Sequence, residues 1–303
     1  MIFENKKRLI PVFYRPEMVA DTESFSPSAG KPAAVVADWK AHDLPIAVTS
    51  FTPVSSQVLS LAHEESYVAG VLTGGIANGF GNHSAAVAAS LPYTVGSMIA
   101  AAKYVTRFMA EHSVATVACS PTSGFHHAGF RHGGGYCTLN GLVITAMHLK
   151  ALGLVNTVGI LDWDFHYGDG TAEIIAHLGL DWIKHVTHSG TGESDSLKRS
   201  VNRDPRRDLQ IRVPNGMFQS GRVDLVLYQA GADVHEDDPL GGYMNSAEMR
   251  DRDERVFWYA KRCDTPLVWN LAGGYQRDAA GTIEPVLALH RATMEACAKE
   301  YTT

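Results

Sequence analysis

The chain has 303 residues, 45% of them hydrophobic, and carries 26 Lys and Arg against 32 Asp and Glu, a formal net charge of −6. That length supports a sizeable core, and the absence of any block of like charge argues against an electrostatic grip on nucleic acid or an anionic membrane. Four scattered cysteines (Cys119, Cys137, Cys263, Cys297) with no C-x-x-C pair argue against a disulfide framework or a cysteine zinc site, and a polar start with no apolar run of spanning length predicts a cytoplasmic protein.

In chain order, residues 1–45, rich in Pro, Ser and Ala, are expected to be irregular and to wrap the surface. Val54 to Leu72 has helical apolar spacing and leads into a Gly- and Asn-rich loop, Gly74 to Asn82. Pro92 to Ala110 reads as a long buried helix. Short apolar runs then recur at Val114–Ser120, Thr157–Leu161, Ile183–Thr187, Asp224–Gln229 and Leu267–Leu271. Helical segments separate them, at Leu139–Leu152, Thr171–His177 and Ser246–Arg262, and the mixed charge of Glu248 to Arg262 reads as a wet helix face. Buried strands alternating with helices predict one α/β domain over residues 1–303, a central, mostly parallel sheet flanked by helices on both faces.

In open α/β sheets ligands sit beyond the carboxyl ends of the strands. The residues that follow four of the apolar runs are Gly124-Phe125-His126-His127, Asp162 to Gly170, Gly231-Ala232-Asp233 and Ala272-Gly273-Gly274-Tyr275. Each piece alone is ordinary, because His pairs, D-x-H and Gly-Gly are common in turns. Together they deliver titratable groups to one rim. Asp164 and His166 are two apart, so an extended segment points both to one face, and Asp233 supplies a third metal ligand. Three O and N ligands leave a position open for water, as in catalytic zinc sites. The metal polarises a carbonyl and acidifies water, a neighbouring His moves the proton, and Tyr275 donates to the developing oxyanion.

The ordered set His126-His127, Asp162-x-Asp164-x-His166-x-Gly168-x-Gly170-Thr171, Gly231-Ala232-Asp233 and Leu271-Ala272-Gly273-Gly274-Tyr275 resembles the histone deacetylase family, over about His63 to Tyr275. That family includes bacterial acetylpolyamine amidohydrolases and acetoin-utilisation proteins and has the arginase-like α/β fold. The resemblance implies zinc, with ferrous iron as an alternative, on Asp164, His166 and Asp233. It implies His127 as general base and acid, His126 as its electrostatic companion, Asp162 and Asp169 as the carboxylates that orient the two histidines, and Tyr275 as the carbonyl-polarising residue. Gly135, Tyr136 and Gly273 are expected to line the substrate path, and potassium is expected as a structural ion near Asp162.

The implied reaction removes an acyl group, acetyl first of all, from an amine: an acyl-lysine protein or peptide, or an acetylated small amine such as a polyamine. A metal-containing acyl-lysine-binding protein without turnover is the alternative of another class, and a ureohydrolase is disfavoured by the single set of ligands. A homo-oligomer stays open.

Three departures from the family pattern stand out. Phe125 directly precedes the His pair, and the tunnel aromatic is a tyrosine, Tyr136. After Ile183–Thr187 the chain passes through His188 straight to Ser189-Gly190-Thr191-Gly192, without a second tunnel aromatic. This predicts a more open site, with less apolar wall for a lysine stem at about 25 cal/mol per Å². His63 is expected to be a satisfied structural histidine, and Glu64 or Glu65 to face a cationic substrate at the rim.

Overall fold

Among the described residues seven strands form the sheet: β1 (Ile10–Phe13), β2 (Ile46–Thr49), β3 (Val117–Cys119), β4 (Val158–Asp162), β5 (Ile183–Thr187), β6 (Leu225–Gln229) and β7 (Leu267–Asn270). The structure, a computed structural model, describes residues 8–22, 24–187, 217–218 and 223–302. The strand order is β2-β1-β3-β7-β6-β4-β5 and every pairing is parallel. The helices are α1 (Lys31–Ala41), α2 (Ser56–Leu59), α3 (Glu65–Leu72), α4 (Ala85–His112), α5 (Gly141–Ala151), α6 (Asp169–Leu178), α7 (Ser246–Arg262) and α8 (Glu284–Tyr301).

The central strands are buried at every position, and apolar up to their carboxyl ends, because both faces are covered. Along β6, Leu225 and Leu227 enter one core with Leu142 and Val143 of α5, while Val226 and Tyr228 enter the other with Trp39 of α1, Phe257 of α7 and Val286 of α8. Trp269 of β7 packs against Trp39 at 5.6 Å and Phe257 at 6.0 Å between ring centroids. Each fully buried large apolar side chain contributes about 1.5–3 kcal/mol, so the sheet forms a rigid base for what its loops carry. The strands that precede the four chemistry-bearing loops, β3, β7, β6 and β4, are consecutive neighbours in the sheet. Being parallel, they open all four loops on one edge.

Several expectations need correction. The stretch expected to be irregular contains β1 and α1 among its described residues. Pro11 obscures the strand, and it is tolerated because β1 meets β3 through a single register pair, Val12 with Cys119. Pro32 in the first turn of α1 is a helix-start signal. The expected helix Val54–Leu72 is two, α2 and α3, with His63 in the break between them. Helix α4 starts at Ala85, where the Ser84 hydroxyl accepts from the Val87 N–H at 3.4 Å, and it runs through Pro92. It holds an 18-residue window of mean hydropathy 1.4, long and apolar enough to cross a membrane by composition, although 61% of that window is buried in the fold. On α7 the wet-face reading fails at two positions, for Arg252 and Asp253 are fully buried.

Candidate metal centre and catalytic dyad

The loop after β4 does not continue as a strand. Asp164 Oδ1 accepts the N–H of His166 at 3.0 Å, an Asx-type turn that brings the two side chains together. The extended-face expectation is therefore wrong in detail: a turn, not the strand alternation, makes them converge. His166 Nδ1 lies 3.2 Å from Asp164 Oδ1 and 3.0 Å from Asp233 Oδ2. The ligating atoms of Asp164, His166 and Asp233 all fall within 4.8 Å of one another.

The backbone is built tightly around these atoms. Asp233 Oδ1 accepts from the Phe165 N–H at 3.1 Å, and Asp164 Oδ2 from the Gly273 N–H at 2.8 Å. A Cβ at Gly273 would lie 2.3 Å from Asp233 Oδ2 and 2.8 Å from Asp164 Oδ2, so only glycine fits there. His166 Nε2 faces the Leu240 carbonyl at 3.2 Å, which leaves Nδ1 as the ligating atom. Burial, aided by Asp164, pushes the Asp233 carboxyl up to about 7. Burial works against a charge on His166, yet hydrogen bonds to Asp164 and Asp233 raise it to about 11. Two carboxylates and an imidazole so confined could hold a cation, and this O, O, N donor set fits a divalent metal ion.

Beside this triad sit His126 and His127, ring centroids 4.0 Å apart. His126 Nδ1 donates to Asp162 Oδ2 at 2.9 Å, and its Nε2 lies 3.6 Å from Asp164 Oδ1. Burial lowers its basicity, but Asp162 and Asp164 outweigh this and lift it to about 9. Asp162, also buried, is pulled down to about 2 by His126, and its Oδ1 accepts from Gln229 Nε2 at 3.1 Å. His127 Nδ1 donates to Asp169 Oδ1 at 2.6 Å, and Asp169 is largely exposed. Its ring lies 5.8 Å from that of His166. A Cβ at Gly135 would collide with the His127 ring at 2.3 Å, so the Gly135–Tyr136 turn packs directly against that ring.

Tyr275 is buried, its N–H donates to Asp238 Oδ2 at 2.8 Å, and its ring is 5.6 Å from Tyr136. Burial first, then Asp233 and Asp164, push its phenol far above the ordinary range. Three residues other than glycine with positive φ lie here: Phe125 at 100°, Tyr136 at 63° and Ala272 at 53°. Such strain costs about 1–3 kcal/mol per residue and concentrates at functional sites. Phe125 is buried, with its ring against Gly141, and with Tyr136, Cys137, Met18, Phe80 and Leu91 it lines a cavity flanking the site.

Sequence reasoning missed four residues. Lys31 is wholly buried, donates to the Ala272 carbonyl at 2.6 Å, and is lowered by that burial to about 8. Asp238 anchors Tyr275 and, through its bond from the Leu240 N–H, the segment facing His166. Arg252 donates into both ligand-bearing loops. His185 Nε2 lies 3.7 Å from Asp162 Oδ2. Each sits remote in sequence from the motif it serves, and a buried Lys or Arg leaves no local signal. His63, as expected, is satisfied: Nδ1 meets the Gly129 carbonyl and Nε2 accepts the Asn140 N–H, both at 2.8 Å. Glu64 pairs with Arg131 at 3.0 Å. His188 and the segment Ser189–Gly192, on which the open-site expectation rests, lie outside the described residues.

The fold and this arrangement define a parallel α/β protein with an Asp/His/Asp triad that could hold a metal ion and a histidine pair at the carboxyl edge of its sheet. The histone deacetylase domain family matches residues 31–182, and the chain belongs to that family. An uncharacterized protein of Picosynechococcus is 29% identical over 262 residues, 78% of this chain and 81% of that protein. Arabidopsis thaliana histone deacetylase 15 is 47% identical over 183 residues, 50% of this chain and 31% of that protein, and histone deacetylase 2 of the same plant is 29% identical over 183 residues, 53% and 44%. The chain thus matches less than half the length of these two named deacetylases. The crystal structure of the HDA15 HD domain shares the fold, with a TM-score of 0.73 over 98% of this chain and 90% of that one at 19% identity.

Proposed function

We propose that this protein is a metal-dependent amidohydrolase that removes acyl groups, acetyl first of all, from amines such as acyl-lysine. The observation that carries the reading is the placement of the His127–Asp169 pair beside the Asp164, His166 and Asp233 donor cluster. Family membership, and the deacetylase names of the relatives, support the same reaction class.

Asp164, His166 and Asp233 would hold the metal, zinc or ferrous iron, which when bound supplies Lewis acidity toward a carbonyl and a water. The rest follows from the chain's own groups. A carboxylate can only accept, so Asp169 fixes the proton of His127 on Nδ1 and leaves Nε2 free to take a proton from water and return it to the leaving amine. Asp162, bonded to its Nδ1, favours the charged form of His126, which in turn favours negative charge building beside it. The Tyr275 phenol, pushed far up, keeps its proton and donates to the oxyanion. Tyr136 offers an aromatic wall to the acyl-amine stem.

The test is hydrolysis of acetyl-lysine peptides, longer acyl-lysines and acetylated polyamines by the metal-loaded protein, with His127→Ala and Tyr275→Phe alongside. Turnover by the wild type with losses of about 10²–10⁴ in His127→Ala is expected. Equal, negligible rates in all three with metal bound would rule the enzyme out and favour a binding protein.

A further inference from the structure

Helix α7 is rich in charge, yet its Arg252 and Asp253 are completely buried. A buried ion pair is costly to desolvate and is retained where its hydrogen bonds are needed. Here they are numerous. Arg252 Nε donates to Asp253 Oδ1 at 2.8 Å. The same oxygen accepts from the Tyr228 hydroxyl, and Asp253 Oδ2 from Thr293 Oγ1 at 2.6 Å. Asp253 is thus held by β6 and α8, and it holds the guanidinium in one orientation. The other arm, Nη1, donates to the Gly231 carbonyl at 2.7 Å and to the Trp163 carbonyl at 3.3 Å.

Those two carbonyls belong to the loops that bear the metal ligands: Trp163 immediately precedes Asp164, and Gly231 lies two residues before Asp233. The loops are pressed together, for a Cβ at Gly231 would come within 2.6 Å of the Asp164 Cα and 2.7 Å of Asp233 Oδ1. We propose that Arg252 is a positioning residue for the metal centre, tying the Asp164 and Asp233 loops to each other from behind so that their carboxylates stay at chelating separation. This rests on the reading of Asp164, His166 and Asp233 as metal ligands. A rigid planar fork is what the task requires. Lysine has the charge but a single rotating ammonium, and it cannot reach both carbonyls and Asp253 in fixed geometry.

The test compares Arg252→Lys, the charge-free double variant Arg252→Met/Asp253→Asn, and the surface control Arg250→Ala in the full-length protein. The double variant guards against misfolding from an unpaired buried aspartate. The readouts are Co(II) affinity by chelator competition, the Co(II) absorption spectrum, thermal unfolding of the metal-free protein, and kcat and KM separately. A 10–100-fold loss of Co(II) affinity is expected in both Arg252 variants, with an altered Co(II) spectrum, kcat lowered more than KM is raised, and Arg250→Ala unchanged. Wild-type Co(II) affinity and spectrum in a folded Arg252 variant would overturn the proposal, even if its melting temperature fell, because the role would then be structural only. If the wild type and Asp164→Asn bind Co(II) equally, the metal-site reading itself falls, and this inference with it.

Discussion

The Gly273 N–H donates to Asp164 Oδ2 across 109 residues of sequence, and no side chain fits between Gly273 and the two metal-site carboxylates. One backbone amide thereby orients the Asp164 carboxylate and forms the floor of the proposed metal site. Gly273→Ala would place a methyl where the Asp233 carboxylate now is. The fold should survive, since the clash is with side-chain atoms at a loop. Metal affinity should fall 10–100-fold, as it does when groups supporting metal ligands are disturbed. Chelator competition on the purified variant measures this directly, and wild-type affinity would show that the carboxylates have room to retreat.

The two histidine–carboxylate pairs should respond differently to loss of the acid. Asp169 is exposed and pairs with His127, the proposed base. Asp169→Asn should lower kcat about 10–100-fold while leaving the stability within about 1 kcal/mol. Asp162 is buried between His126 and Gln229. Asp162→Asn removes the hydrogen-bonded carboxylate of a buried imidazolium and leaves it only the longer contact with Asp164, which costs up to about 3–5 kcal/mol. Urea titrations run beside steady-state kinetics separate the two effects, and equal stability losses would contradict the assignment.

The sheet was legible where strands are fully buried, because an unbroken apolar run such as Leu225–Tyr228, bounded by Asp224 and Gln229, has few alternative homes. The edge-side elements were not: Ile10–Phe13 is four residues long and contains a proline, and α1 follows a Ser- and Pro-rich stretch. The site was legible in its loops, since ligands and dyad cluster within a few residues of strand ends. What escaped were the long-range supports. The contacts of Lys31 with Ala272 and of Arg252 with Trp163 and Gly231 span 241, 89 and 21 residues and arise from packing, which no local spacing encodes.

His63 makes stability depend on acid. Its Nε2 accepts the Asn140 N–H and its Nδ1 donates to the Gly129 carbonyl, so only the neutral ring fits. Burial accordingly holds it down at about 4, below its usual 6.5. The unfolded chain therefore binds a proton first as pH falls. The stability is fully present above pH 6.5, drains away below it, and the loss levels off near pH 4. A depression of this size corresponds to about 3 kcal/mol. Denaturant titrations between pH 7 and 4 of wild type and His63→Gln should show this component vanishing in the variant. An unchanged pH slope would count against the neutral, doubly bonded ring.

Metal uptake should itself release protons in a defined way. Without a cation, hydrogen bonds to Asp164 and Asp233 raise His166 and burial beside Asp164 raises Asp233, so the centre holds on to protons. These must leave before the three donors can ligate. Apparent affinity should therefore rise with pH, most steeply at the acid end, where Asp233 is protonated as well as His166. Calorimetry of Co(II) or Zn(II) binding in buffers of different ionisation enthalpy counts the protons. Asp233→Asn should remove the steeper limb while weakening binding throughout. A single slope near zero across the range would mean that the donors are not protonated in the free protein, and that the cation enters a site already emptied of protons.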